Sequence, residues 1–364
     1  MNNYLSWEQT LFKDREIFEP GYVPEAFLYR EKQLKRIGHA IAPGIKGEQP
    51  QNMVCIGPPG TGKTTSIRKI IDEAEQISTS ELIIAYVNCR FTPTRFSVLS
   101  DIYRKISGIE PPGTGIALKK FYEKIAETLA AKNKSLFAVL DDADFLLLRG
   151  IYCNVANDIL RLYENRPVNT GLCTVHSTQR PPLDDGLGSL FMPVVVKFPS
   201  YSWDETFNIL STRAKLGFYS DVVNKEIIEK ITQYTVPKGD VRFGIDLLKR
   251  SAFHAELRAS VAVTPSDVDA ALVEASKDRL SRYLKVFSET ERALLDLASE
   301  MVTVQAGELF SAFHERTHKG YTTFHKALNS LMRAKLIDAN IENRGKNGRM
   351  RVIVVKQPTS GSES

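Results

Sequence analysis

Eight consecutive residues carry the clearest chemistry in this 364-residue sequence: Gly57, Pro58, Pro59, Gly60, Thr61, Gly62, Lys63 and Thr64. They fit G-x-x-x-x-G-K-[ST], the pattern of a loop that wraps phosphates. Its glycines let backbone N–H groups converge on the anion without side-chain clashes, and a following helix directs its positive N-terminus at the same point. The pattern predicts that Lys63 reaches the β- and γ-phosphates of a nucleoside triphosphate and that the Thr64 hydroxyl ligates Mg²⁺. Thr65 extends the cradle. The expected cofactors are ATP or ADP, with Mg²⁺.

A second apolar run, residues 136–140, ends in Asp141 and Asp142. As a buried strand it would deliver both carboxylates to the C-terminal edge of a parallel sheet, where nucleotides bind. Asp141 is then placed to hold the hydration shell of Mg²⁺, and Asp142 to polarise the attacking water. Two aspartates after an apolar run often mark no more than a strand entering a loop. Their position downstream of Lys63, with another strand between, makes the catalytic reading the more specific one.

These residues need a scaffold. Apolar runs at 52–56, 82–89, 136–140, 172–176 and 194–198 read as strands, and 64–74, 96–106 and 118–132 read as helices. Upstream, a helical stretch at 33–41 gives way to a link punctuated by Pro43, Gly44, Gly47 and Pro50. Strands alternating with helices predict a parallel α/β sheet covered on both faces. From 203 to 276 the periodicity is helical, broken at Gly217 and at Pro237-Lys238-Gly239. The expected organisation is a nucleotide-binding base over 1–198, a helical lid over 199–278, a third unit over 279–356 and a disordered polar tail over 357–364.

Composition narrows the class. Hydrophobic residues make up 43% and charged residues 25%, enough apolar material for a core without staples. No run approaches the ~18 apolar residues that a membrane span needs, and the N-terminus lacks a signal-peptide pattern. Cys55, Cys89, Cys153 and Cys173 form neither a C-x-x-C pair nor a Cys/His cluster, so they read as reduced thiols of a cytoplasmic protein without structural zinc. Residues 279–356 hold 14 Lys/Arg against 8 Asp/Glu, while the whole chain carries only +5. The positive charge therefore belongs to the C-terminal unit and points to an anionic partner there.

That unit reads as helices over 289–301, 306–317 and 322–334, the last with Thr322 as N-cap. Phe324, Ala327, Leu328 and Leu331 share one face at 3-4-3 spacing and should pack inward. Thr323, His325, Lys326, Asn329 and Arg333 are left facing outward, residue types that read grooves and contact phosphates. Strands at 337–341 and 350–355 then flank a turn containing Arg344, Lys346 and Arg349. Helix–turn–helix followed by a hairpin with a cationic tip is a winged-helix pattern, which docks double-stranded DNA with the helix in the major groove. Winged helices also bind proteins; the charge surplus favours DNA.

With these motifs in place, the chain resembles the AAA+ ATPases and, more narrowly, the archaeal initiators related to eukaryotic origin-recognition and cell-division-cycle licensing proteins. The likeness runs from about residue 11 to 355. Tyr22-Val23-Pro24-Glu25, followed by Tyr29-Arg30, resembles the segment that wraps the adenine in that family. Val87-Asn88-Cys89 opens the segment carrying the family's extra helix, which implies a DNA contact within 89–105, with Arg90 and Arg95 as candidates. Phe198-Pro199-Ser200-Tyr201 is similar to the hinge into the lid. Gly239-Asp240-Val241-Arg242 is similar to the lid motif known as sensor 2, whose arginine contacts the γ-phosphate.

The resemblance implies a P-loop AAA+ base, an all-α lid and a C-terminal winged-helix domain. It further implies a nucleoid-associated ATPase that binds origins, with the replicative helicase and paralogous initiators as partners. An ATP-switched winged-helix transcription regulator on the same scaffold, or another non-initiator AAA+ paralogue, is the alternative. Three departures from the family pattern predict slow hydrolysis. Asp142 replaces a glutamate, Ser177 with Thr178 beside it stands at the sensor 1 position usually held by asparagine, and residues 183–192 offer no arginine finger.

Overall fold

The structure, a computed structural model, describes residues 10–25, 27–77, 81–92, 94–111, 118–177, 181, 185–286, 288–301, 303–333, 337–343 and 349–355. The chain divides into two compact units, Met1–Val268 and Asp269–Ser364.

In the first unit α1 (Glu31–Ile45) precedes β1 (Met53–Ile56) and α2 (Lys63–Glu75). Then come β2 (Leu82–Asn88), α3 (Arg95–Ser107), α4 (Leu118–Ala131), β3 (Ser135–Asp141), α5 (Asp144–Leu148) and α6 (Tyr152–Leu160). β4 (Thr170–His176), α7 (Asp185–Leu190) and β5 (Val194–Lys197) complete the base, and α8 (Trp203–Gly217), α9 (Lys225–Thr235) and α10 (Val241–Leu257) form the lid. α11 (Pro265–Val286) contains the boundary between the units.

Five parallel strands lie in the order β2-β3-β4-β1-β5. Every residue of β3 and β4 is buried, as expected for central parallel strands covered on both faces. Alternation sorts the side chains. Leu136, Ala138 and Leu140 join the core under α3, α4 and α6, whereas Phe137 and Val139 join the core under α1 and α2. The register matters most for function. It sets Asn88 beside Asp141 and Ile56 beside His176, so four strand ends finish together at one edge.

Local chemistry explains several boundaries. Thr94 and Ser202 start α3 and α8 with capping boxes. The helix expected over 33–41 runs on to Ile45 through Pro43, a residue the sequence assigned to a link. A proline in a last turn costs one hydrogen bond rather than a helix, and its carbonyl accepts from the N–H groups of Lys46 and Glu48, each at 3.0 Å. Gln33 and Arg36 of α1 also donate to the outer carbonyls of Lys197 and Val195, which covers the β5 edge.

Residues 10–18 pack on the lid. Phe12 and Phe18 meet Phe218, with ring centroids 5.2 and 4.5 Å away, and Phe12 also meets Phe253 at 5.1 Å. Glu256 of α10 accepts from the Leu11 N–H and the Thr10 hydroxyl, both at 2.8 Å.

The second unit holds α12 (Glu289–Met301), β6 (Thr303–Gln305), α13 (Ala306–Thr317), α14 (Tyr321–Arg333), β7 (Ile337–Asn343) and β8 (Arg349–Val355). Its sheet is antiparallel in the order β6-β8-β7, and the three-residue β6 is too short to leave a periodic signal. Phe324, Ala327, Leu328 and Leu331 face the core, as their spacing predicts. α14 begins one residue before Thr322. The Gly320 carbonyl accepts from Thr323 and Phe324, so Thr322 lies inside the first turn and does not cap it.

Candidate functional site

β1 ends at Ile56 and the chain turns through the glycine-rich segment into α2. Gly60 and Gly62 have φ of 73° and 88°, a region that strains any side chain. Gly62 is crowded as well: a Cβ there would lie 3.0 Å from the Tyr201 hydroxyl and 3.5 Å from the Phe27 ring. The Thr61 hydroxyl donates to the Pro58 carbonyl at 2.8 Å and braces the turn, with Pro59 between them. Lys63, Thr64 and Thr65 occupy the first turn of α2, where N–H groups find no intrahelical acceptor and suit an anion. The Lys63 ammonium donates to the carbonyls of Gly57 at 2.6 Å and Pro58 at 2.8 Å. Burial pushes it below the usual lysine range; the Arg242 charge acts in the same direction, against Asp141, Asp144 and Asp142.

Asp141 closes β3. Its Oδ2 accepts from the Thr64 hydroxyl at 2.9 Å and the Tyr86 hydroxyl at 2.5 Å, and its Oδ1 accepts from the Asp142 N–H at 3.0 Å. Burial, and then the charge of Asp141, push the Tyr86 phenol up, so it stays a donor. A threonine hydroxyl and a carboxylate at this separation are hard oxygen donors of the kind magnesium takes alongside water and phosphate oxygens.

Asp142 sits at φ 52°, in the left-handed region. Burial, then the charge of Asp141, raise its pKa above the ordinary aspartate value, opposed by the charge of Arg90 and a hydrogen bond from Asn88. Asn88 is itself oriented, its Oδ1 accepting from the Arg90 N–H at 3.0 Å. A carboxylate shifted this way is a stronger base toward water.

Ser177 follows β4, and its N–H donates to Asp144 at 2.7 Å. Its hydroxyl donates to the same carboxylate oxygen, so Ser177 points at Asp144. The other Asp144 oxygen lies 3.1 Å from His176 Nδ1, and His176 Nε2 meets the Thr174 hydroxyl at 3.0 Å. Burial alone would raise Asp144; the hydrogen bonds from His176 and Ser177 outweigh it and hold Asp144 below its ordinary value.

From the lid, Arg242 lies near enough for its charge to act on Lys63 and to feel Asp142. Its guanidinium forks onto Asp240, at 2.9 and 2.8 Å. Tyr22, Val23 and Pro24 form a half-buried loop, and the Arg213 guanidinium of α8 lies 4.3 Å from the Tyr22 ring centroid. Arg30 is 2% exposed. It donates to the carbonyls of Thr61 at 3.0 Å, Tyr29 at 2.9 Å and Pro199 at 2.7 Å, and lies 3.7 Å from the Tyr201 ring centroid. These bonds occupy the guanidinium, so Arg30 joins the phosphate loop to the hinge.

The structure thus gathers Lys63, Thr64, Asp141, Asp142 and Arg242 at one sheet edge and turns Ser177 toward Asp144. Sequence reasoning missed Tyr86, Phe27, Asp144 and the hold of Asn88 on Asp142. A faint signal existed. Tyr86 shares a strand face with Asn88, and Asp144 is the third acid of Asp-Asp-Ala-Asp. In the second unit Lys326 is exposed on α14, while Thr323, His325 and Asn329 are half-buried. Tyr321, also missed, is 57% exposed, and its hydroxyl lies 3.0 Å from His325 Nε2. Arg333 ends α14 and Arg349 begins β8; Arg344 and Lys346 lie outside the described residues. Arg95 is engaged by Asp158, which leaves Arg90 as the exposed candidate of that pair.

Replacing Arg30 by Ala should lower stability by about 3 kcal/mol, because three carbonyls lose a buried donor. Replacement by Lys should not restore it, since an ammonium cannot span the same fork. Urea denaturation of the two variants checks both statements.

Residues 46–179 match the family described as an AAA domain, and residues 207–272 match the Cdc6 AAA+ ATPase-type lid domain. The chain is 37% identical to the ORC1-type DNA replication protein 2 of Methanosarcina acetivorans, over 98% of this chain and 96% of that one. It is 36% identical to the ORC1-type DNA replication protein 6 of Halobacterium salinarum, over 96% and 94%. Among solved structures, the Aeropyrum pernix ORC1 protein in complex with DNA matches with a TM-score of 0.79 at 25% identity, over 96% and 94%. The Aeropyrum pernix ORC2 protein, in ADPNP–ADP complexes, shares the fold with a TM-score of 0.63 at 23% identity, over 94% and 93%. The paired acids of Asp141 and Asp142, the phosphate loop and the lid arginine therefore have their family: the chain belongs to the ORC1-type DNA replication proteins and is a P-loop ATPase of the AAA+ class.

Proposed function

We propose that this chain is an ATP-regulated initiator that binds double-stranded DNA at replication origins and helps recruit the replicative helicase, alongside paralogous initiators. The observation that carries the switch is Arg242. The charge of a lid cation is felt at the lysine of the base, so a triphosphate between them would draw lid and base together. Thr64 and Asp141 would hold Mg²⁺, which when bound spreads the negative charge of the β- and γ-phosphates. Lys63 exchanges the carbonyls of Gly57 and Pro58 for phosphate oxygens. Asn88 and Asp142 orient the attacking water.

Hydrolysis is slow in this reading. Asp142 is short by one methylene, and the Ser177 hydroxyl is committed to Asp144. DNA contact falls to the second unit, with Thr323, His325, Lys326, Asn329 and Arg333 on α14 and with Arg344, Lys346 and Arg349 at the hairpin. The basic surplus of residues 279–356 supports this placement, and the DNA complex of the Aeropyrum ORC1 protein supports DNA binding itself.

Mapping the protein on its own genome should give a few sites coincident with replication starts; scattered promoter sites would favour a transcription regulator instead. Purified protein should bind ATP and turn it over well below about 1 s⁻¹, the low end for kinases. Lys63→Ala should abolish that binding, and rapid steady-state turnover by the protein alone would overturn the switch. Replacing Arg344, Lys346 and Arg349 together by Ala should weaken DNA binding and flatten its log–log salt slope by roughly 0.9 per lost phosphate contact. An unchanged slope would remove the hairpin from the interface.

A further inference from the structure

Asp240 makes three contacts at once. Its carboxylate caps α10, accepting from the Arg242 N–H at 3.1 Å. It forks with the guanidinium of the same arginine, Nε to Oδ1 and Nη2 to Oδ2. It also rests on the phosphate loop, for a Cβ built on Gly60 would lie 1.7 Å from Asp240 Oδ1 and 2.4 Å from Cγ. The lid therefore meets the loop through an anion that grips the lid arginine.

Capping does not explain this arrangement. Asn and Ser cap a helix as well as Asp does, without the charge and without gripping an arginine. The fork has a different chemical meaning. A carboxylate and a terminal phosphate offer a guanidinium the same thing, two oxygens that accept parallel N–H bonds. The Nε–Nη2 edge of Arg242 cannot close on both. A γ-phosphate that takes this edge displaces Asp240, whereas a diphosphate leaves the pair intact.

We propose that Asp240 is a specificity-determining residue for the nucleotide switch: it competes with the γ-phosphate for Arg242 and so narrows the affinity gap between triphosphate and diphosphate. The inference rests on the reading of Arg242 as the γ-phosphate contact. Its consequence is quantitative. A switch responds to changing nucleotide ratios only when its two affinities are not far apart, and the Asp240 pair subtracts from the triphosphate side alone. Direct repulsion between Asp240 and the added γ-phosphate charge would also raise the ratio, but it persists when Arg242 is absent, so the double variant separates the two effects.

The test uses the full chain, titrated calorimetrically with Mg²⁺–AMPPNP and with Mg²⁺–ADP, in the wild type, Asp240→Asn, Arg242→Ala and the double variant. Asp240→Asn keeps the cap, and Asp240→Ser is a second variant with the same property. Both should raise the AMPPNP-to-ADP affinity ratio about fivefold, the scale of one exposed ion pair. The gain should vanish when Arg242 is absent. Equal gains for both nucleotides, an unchanged ratio, or the same gain in the Arg242→Ala background would each overturn the proposal. If Arg242→Ala lowers the ratio while Asp240→Asn leaves it alone, only this inference falls. If Arg242→Ala leaves the ratio unchanged, the γ-phosphate reading fails and takes this inference with it.

Discussion

The buried Arg30 guanidinium is the joint on which the nucleotide pocket depends. Taking a cation out of water costs several kcal/mol, and here the hydrogen bonds that offset it run to backbone carbonyls of three separate segments. Burial lowers the Arg30 pKa, while the Tyr201 hydroxyl and the charges of Glu205 and Glu31 act the other way. Because its partners are carbonyls of the phosphate loop, the hinge and its own neighbour, Arg30 fixes backbone position rather than a single side chain. The loop that would wrap phosphate and the hinge that would move the lid are set by the same fork.

The carboxylates follow a second constraint, the register of β2, β3 and β4. Parallel pairing places Asn88 beside Asp141 and carries the end of β4 to the same edge. The three acids then separate by environment. Asp141 is surrounded by donors, the hydroxyls of Thr64 and Tyr86 and the Asp142 N–H. Asp142 has burial and a like charge behind it and becomes more basic. Asp144 is spent on His176 and Ser177 and shapes the turn after β4. One short sequence thus yields three chemical roles, separated by hydrogen bonding rather than by residue type.

Much of this was legible beforehand because it rests on short-range rules. The phosphate loop is a contiguous pattern, Asp141 follows a buried run, and the inward face of α14 is a helical period. What escaped notice depends on residues distant in sequence. Tyr86 reaches Asp141 only through strand pairing, and Ser177 meets Asp144 only because β4 lies beside β3. The aromatic contacts of residues 10–18 with α8 and α10 join the first residues of the chain to a lid some 200 positions later, and no local period announces them. Pro43 was misread for the opposite reason, since a local rule was applied where the last turn of a helix relaxes it. The three residues of β6 are too few to show alternation at all.

That N-terminal packing also limits how the lid can travel. Among the described residues the chain passes between base and lid at two places, once through residues 19–25 and 27–30 and again at Phe198-Pro199-Ser200-Tyr201. The first passage is anchored on the lid by Phe12 and Phe18 and on the loop by Arg30. A body tethered at one point can swivel in any direction, whereas a body tethered at two turns about the line between them, as a door does on its pins. A lid opening and closing on these two passages would then move through a single angle.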